Sequence, residues 1–212
     1  MILYGASLSP FVRKVLAFAS EKGVELETVP TGLNNQDPDF RKASPFGKIP
    51  ALRDGDFYLS DSTAIIAYID ALHPEPNLIP TEPRARARAI WFEEFADTMM
   101  MTTFVKMFFN RIVGPRFLGL EGDEAAAAAA ERDELPPLLD YIESVIPESG
   151  WLIEDRLTLA DVAVASPLIG LDHLGIALDA AKRPRLAEFA ARMFARPSFA
   201  PWIERERRML AA

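Results

Sequence analysis

Residues 3–27 read LYGASLSPFVRKVLAFASEKGVELE, and their hydrophobic spacing changes from that of a strand to that of a helix and back. The dipeptide Ser9-Pro10 predicts the start of the helix, because serine is a favoured N-cap and proline suits the first helical position. Gly23 predicts the end of the helix in the left-handed conformation. The flanking strands are expected at residues 2–4 and 25–29. A strand, a helix and a strand with short connections predict a right-handed crossover between parallel strands.

A hairpin and a second helix follow in the next part of the chain. Two segments, 49–53 and 56–59, flank the dipeptide Asp54-Gly55, which is a strong signal for a two-residue hairpin turn. Asp61-Ser62-Thr63 then leads an apolar helix. The segment between the two units, residues 31–47, is polar and irregular, with one helical turn expected near its middle. The pattern therefore predicts βαβ followed by ββα around a single sheet.

A proline-rich segment separates this mixed region from a helical one. Residues 73–83 hold four prolines and predict a stiff linker. We therefore place a domain boundary there, with an α/β domain at 1–80 and an all-helical domain at 81–212. In the helical domain, residues 84–112 predict one long helix. The sequence Thr-Leu-Ala-Asp at 158–161 predicts a capping box in which aspartate replaces the usual glutamate.

The composition excludes several classes of function. The 212 residues carry a formal net charge of −8, which argues against a nucleic-acid binder and against a polybasic membrane patch. The chain has no cysteine, so disulfide scaffolds, cysteine-ligated zinc and mechanisms with a protein thiol are excluded. With only two histidines, a histidine metal site is not expected. The first residues do not read as a signal peptide, so a cytoplasmic protein is expected.

Four local features could carry chemistry, and each also has a structural interpretation. Ser9 can simply cap its helix, or it can place a hydroxyl beside the positive end of that helix. The Ile49-Pro50 pair can begin a strand, or a cis bond there can turn the backbone of Ile49 outward to pair with an extended peptide. Asp61-Ser62 can cap the next helix, or can hold the charged groups of a zwitterion. The methionine- and phenylalanine-rich run 99–109 can be core, subunit contact or a wall for an apolar ligand.

In their order and spacing, these segments resemble the cytosolic glutathione transferases. The N-terminal match comprises residues 3–27, PDFRKASPFGKIPAL at 38–52 and LSDSTAIIAYI at 59–69. In the second half, LTLADVAVA at 157–165 resembles a capping segment of a helix that is important for folding in that family. The resemblance covers nearly the whole chain. It implies a thioredoxin-like α/β domain followed by an all-helical domain, which is the glutathione transferase fold.

The resemblance also implies a binding site for glutathione. The backbone of Ile49, before a cis proline, would pair with the cysteinyl part, and Asp61-Ser62 would hold the γ-glutamyl head. Residues 34–37 lack the His-Lys pair that plant classes carry near the glycyl end of glutathione. That end would then rest on Lys48 and Gln36. The full set of residues implied to bind glutathione is Lys48, Ile49, Pro50, Asp61, Ser62 and Gln36.

For the thiol of glutathione, the resemblance implies activation by a hydroxyl. Ser9 matches the serine that precedes a proline-phenylalanine pair in the plant-type serine classes. Ser7 is the alternative, and Tyr4 ranks third because it lies where the tyrosine classes carry theirs. The hydroxyl would donate a hydrogen bond to the thiolate, which attacks an electrophile held against an apolar wall. The residues expected in that wall are Ala6, Leu8, Phe11, Met101, Phe104 and Phe108.

We favour the interpretation that the protein is a homodimeric glutathione transferase that acts in detoxification. Glutathione is its co-substrate, no metal is involved, and the thiolate is conjugated to a hydrophobic electrophile. The same half-site also suits a glutathione-dependent isomerase, dehalogenase or ether-cleaving enzyme, and the fold also suits a non-catalytic transferase-like binding protein. The lack of cysteine excludes the cysteine-dependent branches of the family. The sequence does not name the electrophile, because many sets of side chains can form such a wall.

Overall fold

The computed structural model describes residues 1–33 and 35–211, which divide into two compact units. The first unit contains Met1–Ile79 together with the chain from Arg196 onward, and the second contains Pro80–Ala195. The helical domain expected from the sequence ran from 81 to 212. In the structure the second unit ends earlier, because the chain beyond Ala195 packs with the first unit.

A four-stranded sheet lies at the centre of the first unit. Its strands are β1 (Ile2–Tyr4), β2 (Glu27–Val29), β3 (Ala51–Asp54) and β4 (Phe57–Ser60), in the order β2-β1-β3-β4. β1 pairs in parallel with β2 and antiparallel with β3, and β3 pairs antiparallel with β4. The predicted parallel pair and hairpin are therefore confirmed. The predicted turn at Asp54-Gly55 is wrong by one residue: Asp54 pairs with Phe57, and Gly55, with φ of 58°, takes the first turn position.

Helices make up most of the remaining structure. Those of the first unit before the proline-rich segment are α1 (Pro10–Glu21), α2 (Pro38–Ala43) and α3 (Ser62–Leu72). The second unit contains α4 (Pro83–Glu94), α5 (Met101–Phe108), α6 (Glu124–Ala129), α7 (Leu135–Val145), α8 (Leu159–His173) and α9 (Pro184–Phe194). The last helix, α10 (Ala200–Ala211), belongs to the first unit. Among the described residues, no helix is long and apolar enough to cross a membrane.

The core of the first unit lies between its helices and the sheet. α1 and α3 pack against each other and bury apolar side chains such as Phe18 and Ile69. A second cluster joins Tyr4 of β1, Phe40 and Ala43 of α2, and Ala51 of β3. The sheet is thus covered by helices, and the loops at its ends are left to carry function.

The C-terminal segment, residues 196–211, is joined to α1 by two ionic contacts. Arg13 and Glu206 form an ion pair with an Nη2–Oε2 distance of 3.1 Å, and both side chains are fully buried. Glu21, at the end of α1, accepts hydrogen bonds from the Arg196 guanidinium at 2.7 and 2.8 Å. These contacts explain why the C-terminal segment packs with the first unit.

The long helix predicted at 84–112 is present, but it contains wider turns. π-helical segments at Phe95–Met100 and Phe109–Leu118 follow α4 and α5, and the second of them holds Pro115. Proline cannot donate a backbone hydrogen bond, so regular helix is interrupted there. The period of the apolar residues indicated helix, yet it could not show these local changes in winding.

α8 is the central helix of the second unit, buried from Leu159 to Leu171. Its predicted capping box is confirmed. The Asp161 carboxylate accepts hydrogen bonds from the Thr158 backbone N–H at 2.8 Å and from the Leu152 backbone N–H at 2.9 Å. Further along, Gly170 leaves room for Phe104: a Cβ at this position would lie 2.3 Å from the ring.

Candidate active site

The loop between β1 and α1 places Ser9 directly before the helix. Ser9 occupies the N-cap position with extended backbone angles, but its side chain makes no capping hydrogen bond to any described residue. By contrast, Asp37, Asp61 and Asp123 each cap their own helix through a carboxylate oxygen. The predicted N-cap position of Ser9 is confirmed, but its side chain does not serve as the hydrogen-bonding cap. Its hydroxyl lies instead at the positive end of a 12-residue helix.

The backbone around Ser9 is held on several sides. The Ser9 N–H donates to the Ala6 carbonyl at 2.9 Å. The loop also approaches α1 closely, since a Cβ on Gly5 would lie 2.6 Å from Cγ2 of Val12. Only glycine can occupy that position without displacing Val12. The start of α1 and the loop before it thus have a defined geometry.

The two alternative hydroxyl groups, those of Ser7 and Tyr4, have different surroundings. Ser7 lines a cavity of about 100 Å³ together with Trp202 and Met209 of α10. Tyr4 is only 5% exposed, and its ring packs against Phe40 with a centroid distance of 6.1 Å. Tyr4 is therefore a core residue of the sheet, whereas Ser9 is the hydroxyl at the helix end.

A second loop, before β3, carries the Ile49-Pro50 pair. The Ile49–Pro50 peptide bond is cis, and Lys48 beside it is exposed. The buried hydroxyl of Ser44 donates to the Lys48 carbonyl at 2.7 Å and accepts from the Lys48 N–H at 2.8 Å. One side chain thus fixes both polar backbone groups of the residue before Ile49. Sequence reasoning missed Ser44; the nearby signal was the turn pattern of Pro45 and Gly47.

The N-terminus of α3 carries Asp61 and Ser62. Asp61 Oδ1 accepts hydrogen bonds from the N–H groups of Thr63 and Ala64, at 2.9 and 3.1 Å, so its capping role is confirmed. These two N–H groups are thereby occupied by the protein itself. Asp61 also has φ of 82°, a strained value for a residue with a side chain. Such strain is typical of functional sites. Ser62 is 2% exposed at the first position of the helix.

The remaining predicted contacts lie in two other places. Gln36 is exposed just before α2, and Asn34, part of the segment that lacks the His-Lys pair, lies outside the described residues. Met101, Phe104 and Phe108 are each at most 6% exposed, in the core of the second unit. Their place in an apolar wall stays a prediction. In the first unit, Ala6 and Phe11 are half-buried and Leu8 is 8% exposed.

In the described ranges, 1–33 and 35–211, no group of three or more histidine, aspartate or glutamate side chains could hold a metal ion. The chemistry available at the α1 loop is that of a hydroxyl donor beside a helix dipole. Such a pair stabilises an anion.

Comparison with known proteins identifies the family. The chain matches the family model for the glutathione S-transferase N-terminal domain over residues 3–77, and that for the C-terminal domain over 95–197. A glutathione S-transferase from Hyoscyamus muticus is 31% identical over 210 residues, covering 96% of this chain and 98% of that protein.

Solved structures agree with this comparison. A glutathione S-transferase from Rhodospirillum rubrum F11 matches with a TM-score of 0.86 and 27% identity, covering 95% of this chain and 90% of that one. A theta class glutathione S-transferase from Xanthomonas axonopodis pv. citri, solved with glutathione bound, matches with a TM-score of 0.80 and 26% identity, covering 95% and 96%. Because both family models match and a relative is similar over nearly its full length, the chain belongs to the glutathione S-transferase family.

Proposed function

We propose that the protein is a glutathione transferase in which Ser9 activates the thiol of bound glutathione. The Ser9 hydroxyl donates a hydrogen bond to the sulfur, and the thiolate attacks a hydrophobic electrophile. One observation carries the proposal: the Ser9 hydroxyl is at the N-terminus of α1 and caps nothing among the described residues. Family membership supports glutathione as the co-substrate.

A hydrogen bond from Ser9 and the helix N-terminus can together supply the free energy needed to lower the thiol pKa. A free thiol has a pKa of about 8.5, so only a few per cent is thiolate at neutral pH. Lowering that pKa by about two units requires roughly 2.7 kcal/mol. A hydrogen bond to a charged group contributes about 1.5–3 kcal/mol, and a helix N-terminus adds about 0.3–1 kcal/mol. Ser9 therefore needs no ionisation of its own to activate the thiol.

The remainder of the proposed site follows from the other loops. The backbone of Ile49 pairs with the cysteinyl part of glutathione, and its position is supported by the hydrogen bonds between Ser44 and Lys48. Asp61 takes the ammonium group of the γ-glutamyl head, and Ser62 takes its carboxylate. Lys48 and Gln36 lie toward the glycyl end. The apolar wall is proposed from Ala6 and Phe11, because these two are half-buried, whereas Leu8, Met101, Phe104 and Phe108 are almost fully buried.

A titration of the glutathione thiol tests the proposal directly. Thiolate absorbance in the ultraviolet is recorded against pH, with glutathione and with excess protein. We expect the thiolate signal of the complex to appear about two pH units below that of free glutathione. Glutathione that binds with an unchanged thiol pKa would contradict thiol activation. No binding at all would favour a non-catalytic binding protein.

The charge of Asp61 provides a separate prediction. Asparagine caps a helix as well as aspartate does, so Asp61→Asn removes the charge and keeps the cap. We expect the dissociation constant for glutathione to rise about tenfold, because a charge-assisted bond to the ammonium group is lost. Calorimetric titration measures this. Asp123→Asn, at the cap of α6, is the matched control and should bind as the unaltered protein does. An unchanged affinity in Asp61→Asn would rule out the ammonium contact.

We also propose that the protein is a cytoplasmic homodimer. Several large apolar side chains are exposed, and Phe46, in the loop before β3, is the most exposed of them at 84%. A partner subunit would remove such side chains from water.

A further inference from the structure

The buried ion pair between α1 and α10 reaches the active-site loop. Arg13 Nε donates to Glu206 Oε1 at 3.2 Å, and its Nη2 lies 3.1 Å from Glu206 Oε2. The same Nη2 donates to the carbonyl of Leu8 at 3.3 Å. Both side chains are fully buried, so water does not compete for these bonds. One guanidinium therefore joins the C-terminal helix to the residue before Ser9.

The Leu8 carbonyl belongs to the peptide group that joins Leu8 to Ser9. Its oxygen is held by Arg13, and its N–H, on Ser9, donates to the Ala6 carbonyl at 2.9 Å. A peptide group is planar, so contacts at both polar ends fix its orientation. That orientation determines where the Cα of Ser9 lies, and hence the direction in which its hydroxyl projects. The direction is what a hydrogen bond to sulfur requires, since such bonds weaken steeply when misaligned.

We propose that Glu206 is a positioning residue for Ser9, acting through Arg13 and the Leu8 carbonyl. This inference rests on the proposed role of Ser9 in thiol activation. α10 begins at Ala200, beyond the ranges 3–77 and 95–197 that match the family models. Glu206 therefore lies in a part of the chain that the family models do not match, whereas Leu8, Ser9 and Arg13 lie within the N-terminal match.

A buried ion pair is by itself weak evidence of a stabilising role. Replacing such a pair with apolar residues of similar volume is often neutral or stabilising, whereas removing one partner leaves a buried charge. The second ionic contact, from Arg196 to Glu21, also joins α1 to the C-terminal segment, but at the opposite end of α1 from Ser9. It provides a natural control, because it shares the structural role and lacks the contact with the loop.

The test compares the double variant Arg13→Met/Glu206→Leu with the control Glu21→Gln. The double variant removes both charges together and frees the Leu8 carbonyl. We expect the thiol pKa of bound glutathione to rise by about one unit and kcat to fall about tenfold. The KM for glutathione should change less than twofold. Glu21→Gln should change neither the thiol pKa nor kcat. Arg13→Lys keeps the positive charge but loses the planar guanidinium, which bonds to Leu8 and Glu206 at the same time. We therefore expect a smaller rise of the thiol pKa in this variant.

A double-mutant cycle with Ser9→Ala completes the test. If Glu206 acts through Ser9, the double variant has no further effect on the thiol pKa once Ser9 is alanine. The inference would be overturned, and the proposed function left intact, if the thiol pKa of bound glutathione is the same in Arg13→Met/Glu206→Leu as in the unaltered protein while Ser9→Ala raises it. An unchanged thiol pKa in Ser9→Ala itself would overturn both. If the double variant does not fold, Arg13→Lys decides by the same criteria.

Discussion

Ser9→Ala should lower the turnover of an aryl halide with glutathione about a hundredfold. The hydroxyl of Ser9 caps no described helix residue, so its removal costs little stability and the effect falls on the chemistry. Without the hydrogen bond, the pKa of bound glutathione is expected to return toward that of the free thiol, about two units higher. The KM for glutathione should change little, because the proposed site holds the tripeptide mainly through Ile49, Asp61 and Ser62.

Ser7→Ala is the matched control for this variant. Ser7 lies in the same loop but lines the cavity beside α10, so its loss should leave the thiol pKa and kcat within about twofold of the unaltered protein. Steady-state kinetics and the ultraviolet titration of the thiolate measure both quantities. If activity survives in Ser9→Ala and is lost in Ser7→Ala, the hydroxyl is misassigned and the mechanism stands. If both variants keep full activity, thiol activation by a serine is disproved.

Asp161→Ala should reduce the free energy of unfolding by about 3–4 kcal/mol. The Asp161 side chain is fully buried and accepts hydrogen bonds from the backbone N–H groups of Leu152 and Thr158 and from the Thr158 hydroxyl. Alanine leaves these donors without a partner, at about 1–3 kcal/mol for each buried group. Urea unfolding followed by circular dichroism measures the loss. Asp123→Ala, an exposed cap on α6, should cost only about 1 kcal/mol. Equal losses in the two variants would contradict this account.

The loss of unfolding free energy caused by Asp161→Ala should also depend on pH. Burial raises the pKa of the Asp161 carboxyl to about 6, against the opposing hydrogen bonds from Leu152 and Thr158. A group whose pKa is higher in the folded state stabilises the fold at low pH and loses that contribution as pH rises through the folded value. The cost of Asp161→Ala should therefore be about 1 kcal/mol larger at pH 5 than at pH 7. A cost that shrinks at pH 5 would show that the folded pKa is lowered instead.

Local signals accounted for most of the fold. The Ser9-Pro10 start of α1, its end at Gly23 and the capping box at Thr158 each depend on residues close together in sequence, so a pattern could predict them. The winding of the long helix could not be predicted, because π-helical turns keep the same apolar composition as the regular turns beside them. The hairpin turn was placed one residue early, since the glycine alone does not determine which neighbour joins it in the loop.

The site was predictable where its residues occupy helix starts and turns, and not where it depends on distant contacts. Asp61 could be identified as a cap, yet nothing in an aspartate indicates a φ of 82°. Phe104 was expected in the apolar wall, but its packing against Gly170 could not be predicted, because Gly170 is far along the chain. The bond between Arg13 and Glu206 spans 193 residues, and two charged residues at that separation carry no local signal of pairing.

Because Arg13 and Glu206 are far apart in the sequence, they leave the ribosome at very different times. Domains usually fold one after another as they leave the ribosome, beginning with the N-terminal one. Here the first unit includes both the opening strands and α10, so the whole helical unit must be translated before the carboxylate for Arg13 exists. Until then, Arg13 lacks the carboxylate with which it forms the buried ion pair of the folded protein. Synthesis of the first unit therefore begins before that of the helical unit and ends after it.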